Sequence, residues 1–320
     1  MTPWSLDKLP SDITPTNIDG AYARTGNGRI VPHLVVDSSR TRDLRAMRRS
    51  PRRSLIPFRF SAGGYINNLW SGVYLTGNWD HITAHWSIPA VSKPPEPPGL
   101  DGLYWMYSWI GLDGAGTPEL LQIGIDQRVH PDGSVECNPW FEWVAKADPN
   151  NPPYVSYTWI DNVNVRPGDE VSCDVTYWVV AGIRAAGLVE MWNKTTNQSF
   201  GLFLKPPPLA PMAGATAEWI VECPGKGYPD FALAQFSEVK FSKAKARGPL
   251  NVIGVPSNAN PNVNMENIRN AANVVVTTVE IPEPGKVPED WLRIRHNNDG
   301  LCQRLKNLCQ TIRALLFRTG

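Results

Sequence analysis

The sequence predicts an all-β fold, a sandwich or a barrel, and three observations predict it. Short runs of aromatic and β-branched residues recur through the middle of the chain, each bounded by turn residues. Thirty prolines and twenty-six glycines punctuate those runs, which suits many strands and turns rather than helices. Helical periodicity is confined to the C-terminal end, where Leu301, Leu305, Leu308, Ile312 and Leu315 recur at three- and four-residue steps.

Residues 1–60 read as a basic extension, less ordered than the rest, with eleven Lys/Arg against five Asp/Glu. Seven arginines fall within Arg40–Arg53, broken by the single acid Asp43. Such a run is a solvated tail, a polyanion or membrane patch, or a propeptide whose charge lies over an acidic body. Aromatic residues do not interleave the arginines, so base stacking is disfavoured and no nucleic-acid partner is expected. The first residues, MTPWSLDKLPSD, lack the charged-then-apolar pattern of a secretory signal, which leaves the localisation open.

The strand rhythm fills residues 61–296, taken as one domain. Its runs include Gly72–Tyr74, Ile82–Ile88, Leu103–Leu112, Leu120–Ile125, Trp140–Val144 and Val171–Val180. Leu188–Trp192, Phe200–Leu204, Ala217–Glu222, Val239–Phe241 and Val274–Ile281 continue it. Ten or more short strands imply two packed sheets or a closed one. The proline-stiffened stretches 93–99 and 205–211 cannot be central strands. Residues 297–320 form a basic amphipathic helix, docked on the domain or lying at a membrane surface. No apolar run is long enough to cross a membrane.

Between the basic ends, residues 61–290 carry fourteen Lys/Arg against twenty-four Asp/Glu, an acidic body. Five cysteines are an odd number, and any pairing among Cys137, Cys173 and Cys223 is open. His81 and His85 stand four apart, but no Glu follows His81 and the surroundings read as strand, so a metalloprotease helix is excluded. No metal or cofactor is expected. Asn193 and Asn197 begin glycosylation sequons.

Two polar residues stand out inside apolar strand runs: Gln122 in Leu120–Ile125 and Glu218 in Ala217–Glu222. A polar group in such a place must find partners, so each is a structural clasp or a working group. Alternation puts Gln122 on one face with Gly124 and Asp126, and Glu218 on one face with Ile220 and Glu222. Gly124 beside the glutamine is expected to leave room for another molecule's backbone.

Trp109–Gly114 (WIGLDG), Leu121–Asp126 (LQIGID), Trp140–Trp143 (WFEW) and Ala217–Glu222 (AEWIVE) follow one another in an order that resembles the glutamic peptidases, the eqolisin family. With weaker matches at Asn68–Leu75, His85–Val91 and Val165–Val175, the resemblance spans roughly residues 65–290. It implies an antiparallel β-sandwich of the concanavalin A-like lectin/glucanase type, with the cleft on one concave sheet. It also implies an acid endopeptidase acting on polypeptides, with Gln122 and Glu218 as the catalytic pair. Trp109, Asp113, Asp126, Trp140 and Glu142 take supporting or substrate-binding positions. The family further implies secretion and a basic pro-segment; a monomer is expected. This chain departs from the family's pattern at Ile123, at Asn138 where an Asp is expected, and at Val144.

The chemistry fits those residue types. Peptide hydrolysis needs a base for water, a donor for the developing oxyanion and an acid for the departing nitrogen. A carboxyl can serve as acid and base in turn, and an amide offers both N–H donors and an oxygen. Asp113, Asp126 and Glu142 are expected to raise the Glu218 pKa by like-charge repulsion. The rival is a non-catalytic carbohydrate- or peptide-binding module on the same sandwich, which has no need of both polar residues.

Overall fold

A computed structural model of the chain describes residues 69–297, apart from 145–154, 181, 205, 207–211, 225–230, 258–259, 269–274, 284–287 and 289, together with two N-terminal strands. In chain order the strands are β1 (Ala21–Arg24), β2 (Ile30–Leu34), β3 (Trp70–Thr76), β4 (His81–Ser87), β5 (Val91–Ser92), β6 (Tyr104–Asp113) and β7 (Leu120–Val129). Then come β8 (Val135–Val144), β9 (Val155–Trp159), β10 (Glu170–Val180), β11 (Ile183–Asn193), β12 (Gln198–Leu204), β13 (Thr216–Glu222) and β14 (Ala232–Leu233). The last are β15 (Gln235–Phe236), β16 (Glu238–Arg247), β17 (Ile253–Gly254), β18 (Val263–Glu266), β19 (Thr277–Glu280) and β20 (Trp291–His296). Among the described residues the only helical element is a 3-10 turn at Pro249–Asn251. The helix expected over 297–320 falls, from residue 298 onward, outside them.

Apart from β5 and β15, which pair with each other, the strands build two mainly antiparallel sheets. One runs β18-β3-β13-β6-β7-β8-β9, with β14 added in parallel to β6. The other runs β19-β20-β16-β4-β10-β11-β12-β1-β2, with β17 on β16. The all-β sandwich is therefore as expected. The strands β1 and β2, which fall in the basic extension, extend the second sheet from its β12 edge.

Burial follows the layering. In β16 the classes alternate along EVKFSKAKAR, leaving Val239, Phe241, Ala244 and Ala246 inside and the lysines outside, as for a sheet with one wet face. The strands β6, β7 and β13 are buried along their whole length. One of their faces packs on the inter-sheet core with Trp86, Val175, Met191 and Phe241; the other lies in a second apolar cluster of Trp70, Trp105, Tyr107, Trp109, Leu120, Trp140 and Ile220. Burial of both faces makes the polar residues that these strands carry, Gln122 and Glu218 among them, conspicuous. At roughly 2 kcal/mol for each large apolar side chain removed from water, this double layer is the main stabilising contribution.

Cys137, Cys173 and Cys223 are free thiols, the last two buried. Asn193 is fully buried, its amide donating to Asn164 O at 2.7 Å and Asp169 Oδ2 at 2.9 Å, so the first sequon serves a turn rather than a glycan.

Candidate active site

Register sets the site. Asn264, Tyr74, Glu218, Gly111, Gln122 and Glu142 stand directly opposite one another across β18, β3, β13, β6, β7 and β8. Opposed residues in a sheet share a face, so Glu218 and Gln122 project to the same side with only Gly111 between them. Two strand spacings put their backbones about 10 Å apart, with no side chain on Gly111 between them. Gly111 admits no side chain, because a Cβ there would lie 2.7 Å from Leu120 Cδ1 and 3.0 Å from Leu121 O.

Glu218 is fully buried, and its two oxygens differ. Oε1 accepts the Ala115 N–H at 2.7 Å and the Thr216 hydroxyl at 2.9 Å. Oε2 has no hydrogen-bond partner among the described residues. Burial pushes the carboxyl well above its ordinary range, against the pull of those two donors; Asp113 and Glu222 add to the rise. Of the acids expected to do this, Asp113 takes part, whereas Asp126 and Glu142 are not among the causes. Burial dominates because the side chain has no exposed surface.

Gln122 is also buried and split in the same way. Its Nε2 donates to Glu142 Oε2 at 3.0 Å, while Oε1 is unpartnered among the described residues. Glu142 in turn accepts the Tyr157 N–H at 3.3 Å, tying the amide's holder to β9.

The next rung along the same face holds Gly72, Ile220, Trp109, Gly124, Trp140 and Trp159. Trp109 and Trp140 are fully buried in the second cluster. Trp109 donates from Nε1 to Glu222 Oε2 at 2.9 Å and meets Trp70 edge-on at 5.2 Å. Gly124 does not provide the expected opening: a Cβ there would lie 2.3 Å from Ser108 O and 2.5 Å from Trp109 Cβ. Its small size serves the packing of β6 against β7.

Asp126 lies a further rung away, about 13 Å along the strand from Gln122. It is a buried hub that accepts from Arg128 Nη2 at 2.8 Å, Asn138 Nδ2 at 3.0 Å, Trp159 Nε1 at 3.2 Å and the Tyr157 hydroxyl. The Arg128 guanidinium is sandwiched between the Trp105 and Trp159 rings at 4.5 and 4.7 Å. Asn138, the departure from the family pattern, is a donor to Asp126; a second ionised carboxylate there could not donate.

Asp113 leaves the face. Its φ of 64° turns the strand end, and its carboxylate accepts the Tyr177 hydroxyl at 2.8 Å and the N–H groups of Gly214 and Ala215 at 2.9 and 2.7 Å. Burial raises its pKa despite these bonds. Thus Gln122, Glu218 and Glu142 share one rung, Trp109 and Trp140 the next, Asp126 a third, and Asp113 braces from behind. Thr216, Ala115, Tyr157 and Glu222 were not singled out from the sequence. Thr216 had a signal, standing two residues before Glu218 and so on its face; Ala115 and Tyr157 depend on long-range register.

Among the described residues no group of His, Cys, Asp and Glu is arranged to hold a metal ion, and no helix is long and apolar enough to cross a membrane.

The family model described as "Peptidase A4 family" matches residues 68–288. Scytalido-glutamic peptidase, solved with a transition-state analog inhibitor, superposes with a TM-score of 0.53 at 18% identity, over 72% of this chain and 100% of that one. SCP-B, a member of the eqolisin family of peptidases solved with the tripeptide Ala-Ile-His, superposes at 0.51 with 18% identity, over 72% and 100%. No curated protein sequence matches the chain. The two structures share the sandwich fold, and the family match spans both strands that carry the Gln/Glu pair. The chain therefore belongs to the Peptidase A4 family, the glutamic-type endopeptidases.

Proposed function

We propose that this chain cleaves polypeptides in acid through Glu218 as general acid/base and Gln122 as orienting amide and oxyanion donor. One observation carries the proposal: two buried oxygens, Glu218 Oε2 and Gln122 Oε1, lie on the same face and the same rung, each without a partner among the described residues. Unsatisfied buried polar atoms are costly and rare, and they mark places where a ligand completes the bonding.

The asymmetry of Glu218 says where its proton sits. Oε1 accepts two hydrogen bonds, so the proton of the neutral acid belongs on Oε2, which has no partner among the described residues. With the carboxyl held neutral by burial, water adds across the scissile carbonyl. Glu218 gives its proton to the carbonyl oxygen, and one water proton returns to Oε2. Gln122 Oε1 accepts from the water, and its second N–H, the one not given to Glu142, donates to the developing oxyanion. In collapse Glu218 protonates the amide nitrogen, the C–N bond breaks, and a diol hydroxyl returns a proton to the carboxylate. No serine, cysteine or metal nucleophile enters. Glu142 supports the pair by fixing the Gln122 amide; Asp113, through its hold on residues 214–215, supports Glu218. Trp109 and Trp140 support the pair by packing on the neighbouring rung, and Asp126 ties together the strands beyond them.

Acid activity follows, since the neutral acid is lost as pH rises through the Glu218 pKa. Residues 1–60 are proposed as a pro-segment, with the arginines of Arg40–Arg53 paired to cleft carboxylates at neutral pH. No observation favours a sugar-binding module: Trp109 and Trp140 are fully buried and offer no face for stacking. The test is a pair of variants on a denatured protein at acid pH. Gln122→Ala is expected to lower kcat by about 100- to 1,000-fold with KM little changed, and Glu218→Gln to leave only background. Unchanged cleavage by both would overturn the proposal.

A further inference from the structure

The two hydrogen-bond donors to Glu218 stand on two short stretches of backbone, and Asp113 holds both. Thr216 opens β13 directly after residues 212–215, and Ala115 follows Asp113 by two. Asp113 therefore carries one donor on its own chain and grips the other through the Gly214 and Ala215 N–H groups.

Residues 212–215 are held from the opposite sheet. Arg184, at the start of β11, directs all five of its N–H groups inward. Nε donates to Asp80 Oδ1 at 2.7 Å, and Nη1 to Met212 O at 2.9 Å and Ala213 O at 2.7 Å. Nη2 donates to Trp79 O at 3.3 Å and to Asn78 Oδ1. The guanidinium also lies 5.8 Å over the Tyr177 ring, and the Tyr177 hydroxyl binds Asp113. Glu119 Oε1 accepts the Ala213 N–H at 3.3 Å, while the Trp79 and Gly77 N–H groups donate to Gly214 O and Ala215 O. The fit is close: Gly214 has a φ of 63°, and a Cβ there would lie 2.2 Å from Trp79 O and 2.6 Å from Arg184 Nη2. Only glycine meets both demands.

We propose that Arg184 is a positioning residue for Glu218: with Asp113 and Glu119 it clasps residues 212–215 so that the Thr216 hydroxyl and Ala115 N–H both reach Oε1 and leave Oε2 to react. The proposal rests on the catalytic reading of Glu218 given above. It follows from donor count and planarity. Five bonds to two separate loops need a guanidinium; an ammonium has three donors and no fixed fork. A displacement of about 1 Å at a reacting group costs on the order of 100-fold in rate. Asp113 and Glu222 are the charged groups that act on Glu218, and Asp80 and Asp113 those that act on Arg184.

The test compares wild type, Arg184→Lys and Glu218→Gln in the full chain, measuring kcat, KM and the pH profile on one peptide substrate, with thermal melts as the fold check. Arg184→Lys is expected to fold, to keep KM within about twofold, and to lose about 10- to 100-fold in kcat. The upper limb of its pH profile should also move up, because a Glu218 carboxyl with weakened Oε1 donors ionises later. An unchanged kcat, or a lowered kcat with an unmoved limb, would overturn the proposal. If Arg184→Lys fails to fold, Asp80→Asn keeps the guanidinium and weakens its anchor, and the same two shifts, smaller, are expected of it. Activity remaining in Glu218→Gln would instead overturn the catalytic reading itself.

Discussion

Gly114 lies directly beneath the Glu218 carboxylate: a Cβ on Gly114 would stand 2.8 Å from Oε2 and 3.1 Å from Oε1. The glycine has a φ of 119°, so its conformation and the space above it both exclude a side chain. Gly114→Ala is expected to push the carboxyl off its donors and lower kcat on the order of 100-fold. Circular dichroism should show the sandwich intact. Wild-type kcat in a folded Gly114→Ala protein would mean that Oε2 is not the reacting atom.

Glu222 accepts from Trp109 and is one of the charges that raise the Glu218 pKa. Glu222→Gln keeps an oxygen for the indole and removes the charge. The sign follows from like-charge repulsion: without it the Glu218 carboxylate is easier to form, so its pKa falls. The upper limb of the pH–activity profile should therefore move to lower pH, the opposite direction to Arg184→Lys.

Glu119 gives a stability test independent of catalysis. Burial first, and the Asp113 carboxylate second, push its pKa from 4.5 up to about 7. A carboxyl with a raised folded pKa binds its proton more tightly when folded. Stability is then fully present below about pH 4.5 and declines as pH rises towards 7. The full shift corresponds to about 3 kcal/mol. Glu266, also raised to about 7 by burial, acts with the same sign. Urea unfolding at pH 4.5 and 7.5 should show the loss in wild type and a smaller one in Glu119→Gln.

Asp126 is expected to matter for folding first. Asp126→Ala leaves the buried Arg128 with only the half-exposed Glu136 at 3.8 Å, at a cost of about 3 kcal/mol or more. Asp126→Asn keeps the Tyr157 and Trp159 acceptor and should cost less. Equal midpoints for the two variants would contradict the hub.

The sequence made the sandwich readable where burial is one-sided or complete over a long run. The strands β6, β7 and β13 announce themselves by their runs of apolar residues, because both their faces are covered. Others were harder to see. β8 begins at Val135, five residues before the expected start, because Pro139 precedes Trp140. Pairing with β9 runs from Trp140 to Trp143, so Pro139 sits where no second ladder needs its missing N–H. The four-residue β18 is largely polar and half-buried at a sheet edge, so it lacks an alternation to read. Gln122 and Glu218 were visible as polar residues in apolar strands. Their meeting across Gly111 was not, because it depends on β13 pairing with β6 a hundred residues away. Asp113 stood in the expected motif, but its turn away from the face and its hold on residues 214–215 come from a positive φ that sequence does not display.

The central claim is that one buried carboxyl runs the proton cycle. The most direct measurement is cleavage of a denatured protein by the full-length chain from pH 2 to 7, with pepstatin present, beside Glu218→Gln. Substrate and the chain's own N-terminus are both followed. The account predicts acid-dependent cleavage that disappears in Glu218→Gln, with the N-terminus of wild type alone shortening as the basic segment is removed. Acid cleavage of equal rate in folded Glu218→Gln would contradict it.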